Sequence, residues 1–499
     1  MTRREFLTRI SAAPLAGSVQ AGSLAQNQTT DAVQPTDRPI AVGADRQLFL
    51  DDFFFARQQN IRLTFHRPQP QNVVVTCDKP WEKAALHYSS VLRDGNRFRM
   101  WYRVDDNDRT LICYAESLDG VDWEKPNLGR VSWNGSKENN IILPSKTVPG
   151  GNASIIIDPD APANERYKML STRSTAEIWG YVSPDGLVWR AATDRPILTT
   201  PHWGFDSHNI LVWDDTRQRY IIYIRGWRNR QGEILKADSP QAVNLDFPNI
   251  FRVIRRSESA DFRNWSAPQV VIMADEHDPQ GMDFYTNACS KYQRAARAWC
   301  IFSMTFNRDR QLPGAPHPGA ADIQFLSSRD GISWDRRFRQ SYIHHGFDQR
   351  NWVDRNPIMG VGLLQTSATE MSMFYSELLR SPETRLRRAT LRTDGFVSVE
   401  GPYIGWGEFT THPLVFSGRL LELNYRTSGA GTILVELQDA NGKPLPGFTI
   451  EDSAEIIGDR IDGVVSWNEH SDLIKLAGRP IRMRIKLRAA DLFAFRFRD

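Results

Sequence analysis

Ser117-Leu118-Asp119-Gly120-Val121-Asp122-Trp123 is one phrase of a chain that writes it again and again. It returns as Ser183-Pro184-Asp185-Gly186-Leu187-Val188-Trp189 and as Ser328-Arg329-Asp330-Gly331-Ile332-Ser333-Trp334. Ser259-Ala260-Asp261-Phe262-Arg263-Asn264-Trp265 carries Phe in the glycine position, and Thr393-Asp394-Gly395-Phe396 is a shortened fifth copy. Successive Trp positions lie 66, 76 and 69 residues apart, and Phe396 follows 62 residues later. A fixed period of this kind marks an array of one supersecondary unit. Here the unit is a strand, an Asp-Gly turn and a further strand entered by an aromatic residue. Five units predict a five-bladed β-propeller, a fold that offers a central channel for chemistry. The Asp-Gly aspartates themselves are read as turn residues at the outer edge of each blade.

The apolar runs between these phrases fit blades. Each repeat opens on a short run such as His87–Leu92 or His208–Trp213, and most continue through a turn into a second apolar run. The Leu48–Phe55 run reads as a buried strand from the N-terminal side, of the kind that closes a propeller by joining its last blade. After about Gly401 the phrase stops. Short alternating segments such as Ile433–Leu437 and Ile481–Ile485, with a turn at Asn441-Gly442, predict a separate β-sandwich. The fold class is therefore all-β. The expected divisions are a signal over 1–27, a linker over 28–44, a propeller over 45–402 and a sandwich over 403–499.

The start, Arg3-Arg4 followed by a weak apolar stretch over Ile10–Gly17, predicts twin-arginine export to the periplasm or beyond. That stretch is too short to span a bilayer. A formal charge of +3 without a basic stripe argues against nucleic acid. Four cysteines are too few and scattered for a disulfide framework; Cys289 and Cys300 either face each other across a hairpin or stay as buried thiols. No zinc spacing, phosphate loop or nucleophile elbow stands in the chain, so neither metal nor cofactor is expected. The 15 Trp, 13 Tyr and 25 Phe serve blade packing, with a few left to stack on sugar rings.

The first strand of a blade lines the channel, so acids beside it are the catalytic candidates. Asp206 and Asp283 precede matching asparagines, Asn209 and Asn287, by three and four residues. Glu370 stands at the turn into the second strand of blade five, and Asp51 and Asp52 lie on the N-terminal run. Paired carboxyls on either side of a bond are what glycoside cleavage needs. His87, His208, Arg225 and Tyr285 are expected to position the sugar, with Asn152, Asn209, Asn287 and Arg355 on the same rim. Structural ion pairs with Arg225 or Arg355 are the competing role for the acids.

These residues resemble the five-bladed propeller glycosidases of the clan holding invertases, levansucrases, arabinanases and β-xylosidases. More closely, the chain resembles a group of uncharacterised, exported bacterial glycosyl-hydrolase-like proteins, on Leu48–Asp52, Asp206–Asn209, Asp283–Asn287, Leu391–Phe396 and Gly442–Phe448. The resemblance implies a glycoside hydrolase acting on poly- or oligosaccharides. It implies Asp206 as the middle-blade aspartate, Asp51 or Asp52 as the first acid and Glu370 as the proton donor. Blade one departs from the clan, with His87 where an Asp-Pro phrase is expected. The alternative is a carbohydrate-binding propeller without catalysis.

Overall fold

The computed structural model describes residues 38–106, 109–143, 152–174, 176–200, 204–206, 208–235 and 249–499. The expected signal and Ser207 of the Asp206–Asn209 stretch lie outside the described residues. Five antiparallel sheets form the blades. Blade one runs Ala85–Asp94, Arg97–Asp106, Arg109–Ser117 and Ile141–Leu143 from the inside out. Blades two and three start at Ser154–Ile157 and Ile210–Asp214. Blade four has its inner position filled by two pieces, Met282–Phe284 and Cys289–Lys291, both paired with Trp299–Asn307. Blade five does the same with Ile358–Met359 and Leu364–Gln365 against Glu370–Glu377.

The turns explain the repeat. In the first copy the Ser117 hydroxyl bonds Asp119 Oδ1 at 2.9 Å and accepts the Gly120 amide at 2.8 Å. Asp119 Oδ1 in turn accepts the amides of Val121 and Asp122 at 2.8 and 2.9 Å. The side chain thus does the work of a backbone turn. The other three full copies share the Ser–Asp bond at 2.9–3.0 Å. The glycine adopts positive φ, 77° at Gly120. In the third copy Phe262 takes that place at φ 66°, and its ring is buried 2.9 Å from where a Gly180 Cβ would stand. These turns leave the third strand of each blade and also touch a neighbouring blade. Trp101 Nε1 donates to the Gly186 carbonyl at 2.8 Å and the Tyr223 hydroxyl to Gly331 at 2.6 Å, so each of these turns wedges against the preceding blade.

Apolar clusters fill the blade seams. Trp101, Tyr114, Tyr167 and Tyr181 pack blades one and two, for example, and Tyr223, Phe284 and Trp299 pack three and four. The ring closes twice. Val361 accepts the Val91 amide at 2.8 Å and donates to Ser89 at 2.7 Å, joining blades five and one by their inner strands. Gly360 and Gly362 make this possible, since a Cβ at either would fall 2.1 Å from Ser89 Oγ or the Val91 carbonyl. On the outside, Gln69–Thr76 completes blade five against Arg385–Arg392.

The Leu48–Phe55 run does not close the ring. Gln47–Leu48 and Phe55–Gln59 pair instead with Ile481–Arg498 and Gly407–Thr411 in a ten-stranded sheet that spans both ends of the chain. Phe49 and Phe54 are wholly buried there with Phe409, Trp467 and Phe495. Apolar residues enter whichever core receives them, and a run of them carries no address. The long strands Leu420–Asp439 and Ile481–Arg498 are the backbone of this sheet. Cys289 pairs with Ile301 and Cys300 with Ser290, so the two thiols point to opposite faces and both are free. Among the described residues no helix is long and apolar enough to cross a membrane.

Candidate active site at the channel mouth

The inner strands lose regular geometry at one end of the channel. Register slips between His87 and Ser90, and Tyr88, Asp206 and Arg355 all hold positive φ, at 49°, 30° and 59°. Non-glycine residues in this region are uncommon, and they gather where surrounding contacts over-determine them. All three line one cavity of about 600 Å³. Blade one supplies His87, Tyr88, Arg103 and Asp105; blade three supplies Asp206, blade four Tyr285, and blade five Arg355 and Arg380.

Asp206 is the central carboxylate. Its side chain is 44% exposed, whereas its partner Arg225 is 2% exposed and donates from Nη1 at 2.5 Å. Arg225 also donates to the Tyr285 carbonyl at 3.2 Å and lies 4.8 Å above the Tyr285 ring. Burial raises the Asp206 pKa, but Arg225, with help from Arg252 and Arg103, outweighs it, and the carboxyl sits below its ordinary value. Asp105 stands on blade one, bonded to His87 Nε2 at 3.1 Å and to Arg103 Nε at 2.8 Å. Desolvation again opposes ionisation there, and His87 and Arg103 again overcome it.

Three rings stack from the cavity wall inward. His87 lies 4.3 Å from Tyr88, and Tyr88 lies 4.8 Å from His208. Burial depresses both imidazoles, His208 to about 3, so His208 is a neutral ring at physiological pH. On blade five one buried carboxylate, Asp354, anchors two arginines. Arg380 reaches it at 2.6 and 3.1 Å, and Arg355 Nε at 2.8 Å.

Of the residues expected from the sequence, His87, Asp206, Tyr285 and Arg355 meet at this cavity. Arg225 and His208 lie just under it. The three asparagines are clasps: Asn152 Nδ2 holds the Asp206 carbonyl at 3.1 Å, Asn209 the Phe205 carbonyl at 3.2 Å, and Asn287 the His208 and Tyr223 carbonyls at 3.0 and 3.2 Å. They fix the walls of the site.

Four expected acids are not brought there. Asp283 is fully buried and accepts from the Arg252 amide at 2.6 Å, Arg252 Nη1 at 2.7 Å and Arg308 Nη2 at 2.6 Å. Glu370 pairs with Arg388 at the far end of its strand, about 20 Å of extended chain from the cavity-lining end. Asp51 binds Arg329 of the fourth Asp-Gly turn at 2.6 Å, and Asp52 binds Arg337 at 3.1 Å. Asp105, Arg103, Lys83, Arg380 and Asp354 were not expected. The end of a blade's second strand lies opposite the start of its first, so the Arg103-Val104-Asp105 alternation was the signal for two of them.

A five-bladed, all-β propeller with a charged channel-mouth cavity is thus the class of protein defined by fold and site. No family model matches the chain. Two curated proteins match it, both uncharacterised proteins of Mycobacterium tuberculosis, each 30% identical over 115 residues. The match takes in 21% of this chain and 34% of either relative, so the chain spans about a third of the length of the curated relatives it matches. The solved structures it resembles include glycoside hydrolases of propeller fold. A thermostable family-43 glycoside hydrolase is 14% identical, with a TM-score of 0.39 and coverage of 64% of this chain and 94% of that one. The α-L-arabinofuranosidase of Fusarium graminearum, bound to an iminosugar inhibitor, is 10% identical with a TM-score of 0.39, covering 66% and 99%. An N-acetylgalactosamine deacetylase from F. plautii, in complex with blood group B trisaccharide, is 14% identical with a TM-score of 0.45, covering 68% and 97%.

Proposed function

We propose that this protein is an exported glycoside hydrolase that cleaves glycosidic bonds in poly- or oligosaccharides at the channel-mouth cavity. The observation that carries the reading is a pair of carboxylates from different blades, Asp206 and Asp105, lining one cavity of about 600 Å³ with two tyrosines and several cations. Asp206, held ionised by Arg225, takes the base or nucleophile role. Asp105, bonded to His87 Nε2, supplies the second carboxyl. Tyr285 offers its ring face to the sugar. Export rests on Arg3-Arg4 and the apolar stretch after them, and the ten-stranded sheet fits a β-sandwich that packs on the propeller.

The test is a glycan hydrolysis screen of the mature protein beside Asp206→Asn and Asp105→Asn. Product release by the parent, lost in either variant with folding intact, supports the reading. A second reading is a sugar-binding propeller without turnover. It is favoured by one observation: both lining aspartates are drawn below their ordinary pKa by cations, and neither is poised as a proton donor. Sugar binding with no turnover in the parent would select it.

A further inference from the structure

The cavity wall is more cationic than a neutral sugar requires. Among the described residues its lining carries Lys83, Arg103, Arg355 and Arg380 beside Asp105 and Asp206. The two aspartates are already engaged, Asp105 by Arg103 and His87, and Asp206 by the buried Arg225. On the blade-five side one carboxylate serves two guanidiniums, because Asp354, wholly buried, is shared by Arg355 and Arg380. These two arginine side chains remain 41% and 35% exposed while their anchor is dry. Arg355 is further fixed by its left-handed backbone.

Two pre-oriented guanidiniums with one counter-charge leave a net positive pocket wall. Guanidinium donors suit planar or tetrahedral oxyanions, which they bind through two parallel N–H bonds. We propose that the sugar taken by this cavity carries an oxyanion, the carboxylate of a uronic acid, seated against Arg355 and Arg380 with Lys83 beside them. This inference rests on the carbohydrate reading above and names its substrate class. In this arrangement Asp206 faces the sugar ring from blade three while the acidic substituent points to blade five. Binding energy from a non-reacting group then orients the bond to be cleaved.

The test is calorimetric titration of the whole mature protein with D-galacturonate and D-glucuronate beside D-galactose and D-glucose. Galactose 6-sulfate and inorganic phosphate complete the set. The expected result is uronate binding at least about tenfold tighter than the neutral parent sugar, an advantage that shrinks as salt rises. Arg355→Gln and Arg380→Gln each remove that advantage, weakening the uronates far more than the neutral sugars, since a charge-assisted contact is lost. Lys83→Gln, which leaves Asp354 and its partners untouched, is the variant to use if either arginine change unfolds the protein. Tighter binding of the sulfated sugar than of the uronates keeps the oxyanion and changes its kind. Equal affinity for charged and neutral sugars overturns the inference, as does inorganic phosphate binding more tightly than any sugar. Failure of the parent reading looks different. Uronate binding without hydrolysis of any glycan removes the hydrolase and leaves the anion site. Hydrolysis of neutral glycans with no preference for acidic ones does the reverse.

Discussion

Asp283 stands two residues before the cavity-lining Tyr285 and looks, by position, like a catalytic acid; its contacts make it a structural one, and the difference is measurable. Its carboxylate is inaccessible to solvent and accepts three hydrogen bonds of 2.6–2.7 Å, two of them from the guanidiniums of Arg252 and Arg308. Those arginine side chains are themselves only 10% and 13% exposed. Asp283→Asn keeps the shape, but it turns an NH2 donor either toward the Arg252 backbone N–H or toward both guanidiniums, and it removes the charge that both face. Removing one partner of a buried pair costs about 3–5 kcal/mol. Unfolding entropy near 2.1 cal/mol/K per residue gives the Arg38–Asp499 unit about 1 kcal/mol/K, so the melting temperature should fall by about 3–5 °C. The assay is scanning calorimetry of parent and variant, with turnover measured well below either transition. Turnover per folded molecule should survive. A melting temperature unchanged within about 1 °C, with turnover abolished, would refute the reasoning and return Asp283 to the chemistry.

Asp206→Glu keeps a charge beside Arg225 but displaces the carboxyl by one methylene. The expected outcome is a kcat loss of about a hundredfold or more at little cost in stability, read by steady-state kinetics and melting. His208 is buried neutral with a pKa near 3, below its ordinary 6.5. Between those values the unfolded chain binds the extra proton, so stability falls as pH drops through this window, by up to about 1.4 kcal/mol per pH unit from this residue. His208→Phe, which keeps a ring against Tyr88, should flatten that slope in urea midpoints taken at pH 7, 5 and 4. All four cysteines are free thiols, and Cys113, Cys289 and Cys300 are buried. A thiol reagent without reductant should therefore find four groups after denaturation and at most Cys77 before it.

Much of the propeller was legible because its signal is local. A serine, an aspartate and a glycine at fixed offsets build a turn through their own side chains, wherever the turn lies in space. Even the defective third copy holds, because burial of the Phe262 ring against Gly180 compensates for its left-handed backbone. Ring closure was not legible. Gln69–Thr76 is a mostly exposed edge strand with a weak apolar pattern, while the conspicuous Leu48–Phe55 run lies in the other sheet. Partner choice between distant strands is a tertiary matter, and a buried apolar run fits any core.

The site was legible only where a residue's side of the strand could be inferred. Asp206 precedes its asparagine by three residues and Asp283 by four. In an extended chain one residue of offset reverses the face a side chain presents. Asp283, inside Met282–Phe284, points into the seam toward Arg252, while Asp206, at φ 30°, turns into the cavity. The two acids are nonetheless linked through charge. Arg252 lies 4.4 Å from the Tyr285 ring centroid on Asp283's side, and Arg225 lies 4.8 Å from the same ring on Asp206's side. Each guanidinium has its own carboxylate, and the tyrosine ring is held by both. Asp283 thereby gives Arg252 an ion-pair partner, while Asp206 pairs with Arg225. One aspartate is held inside the seam while the other, 44% exposed, faces the cavity with Arg225 fixed against it.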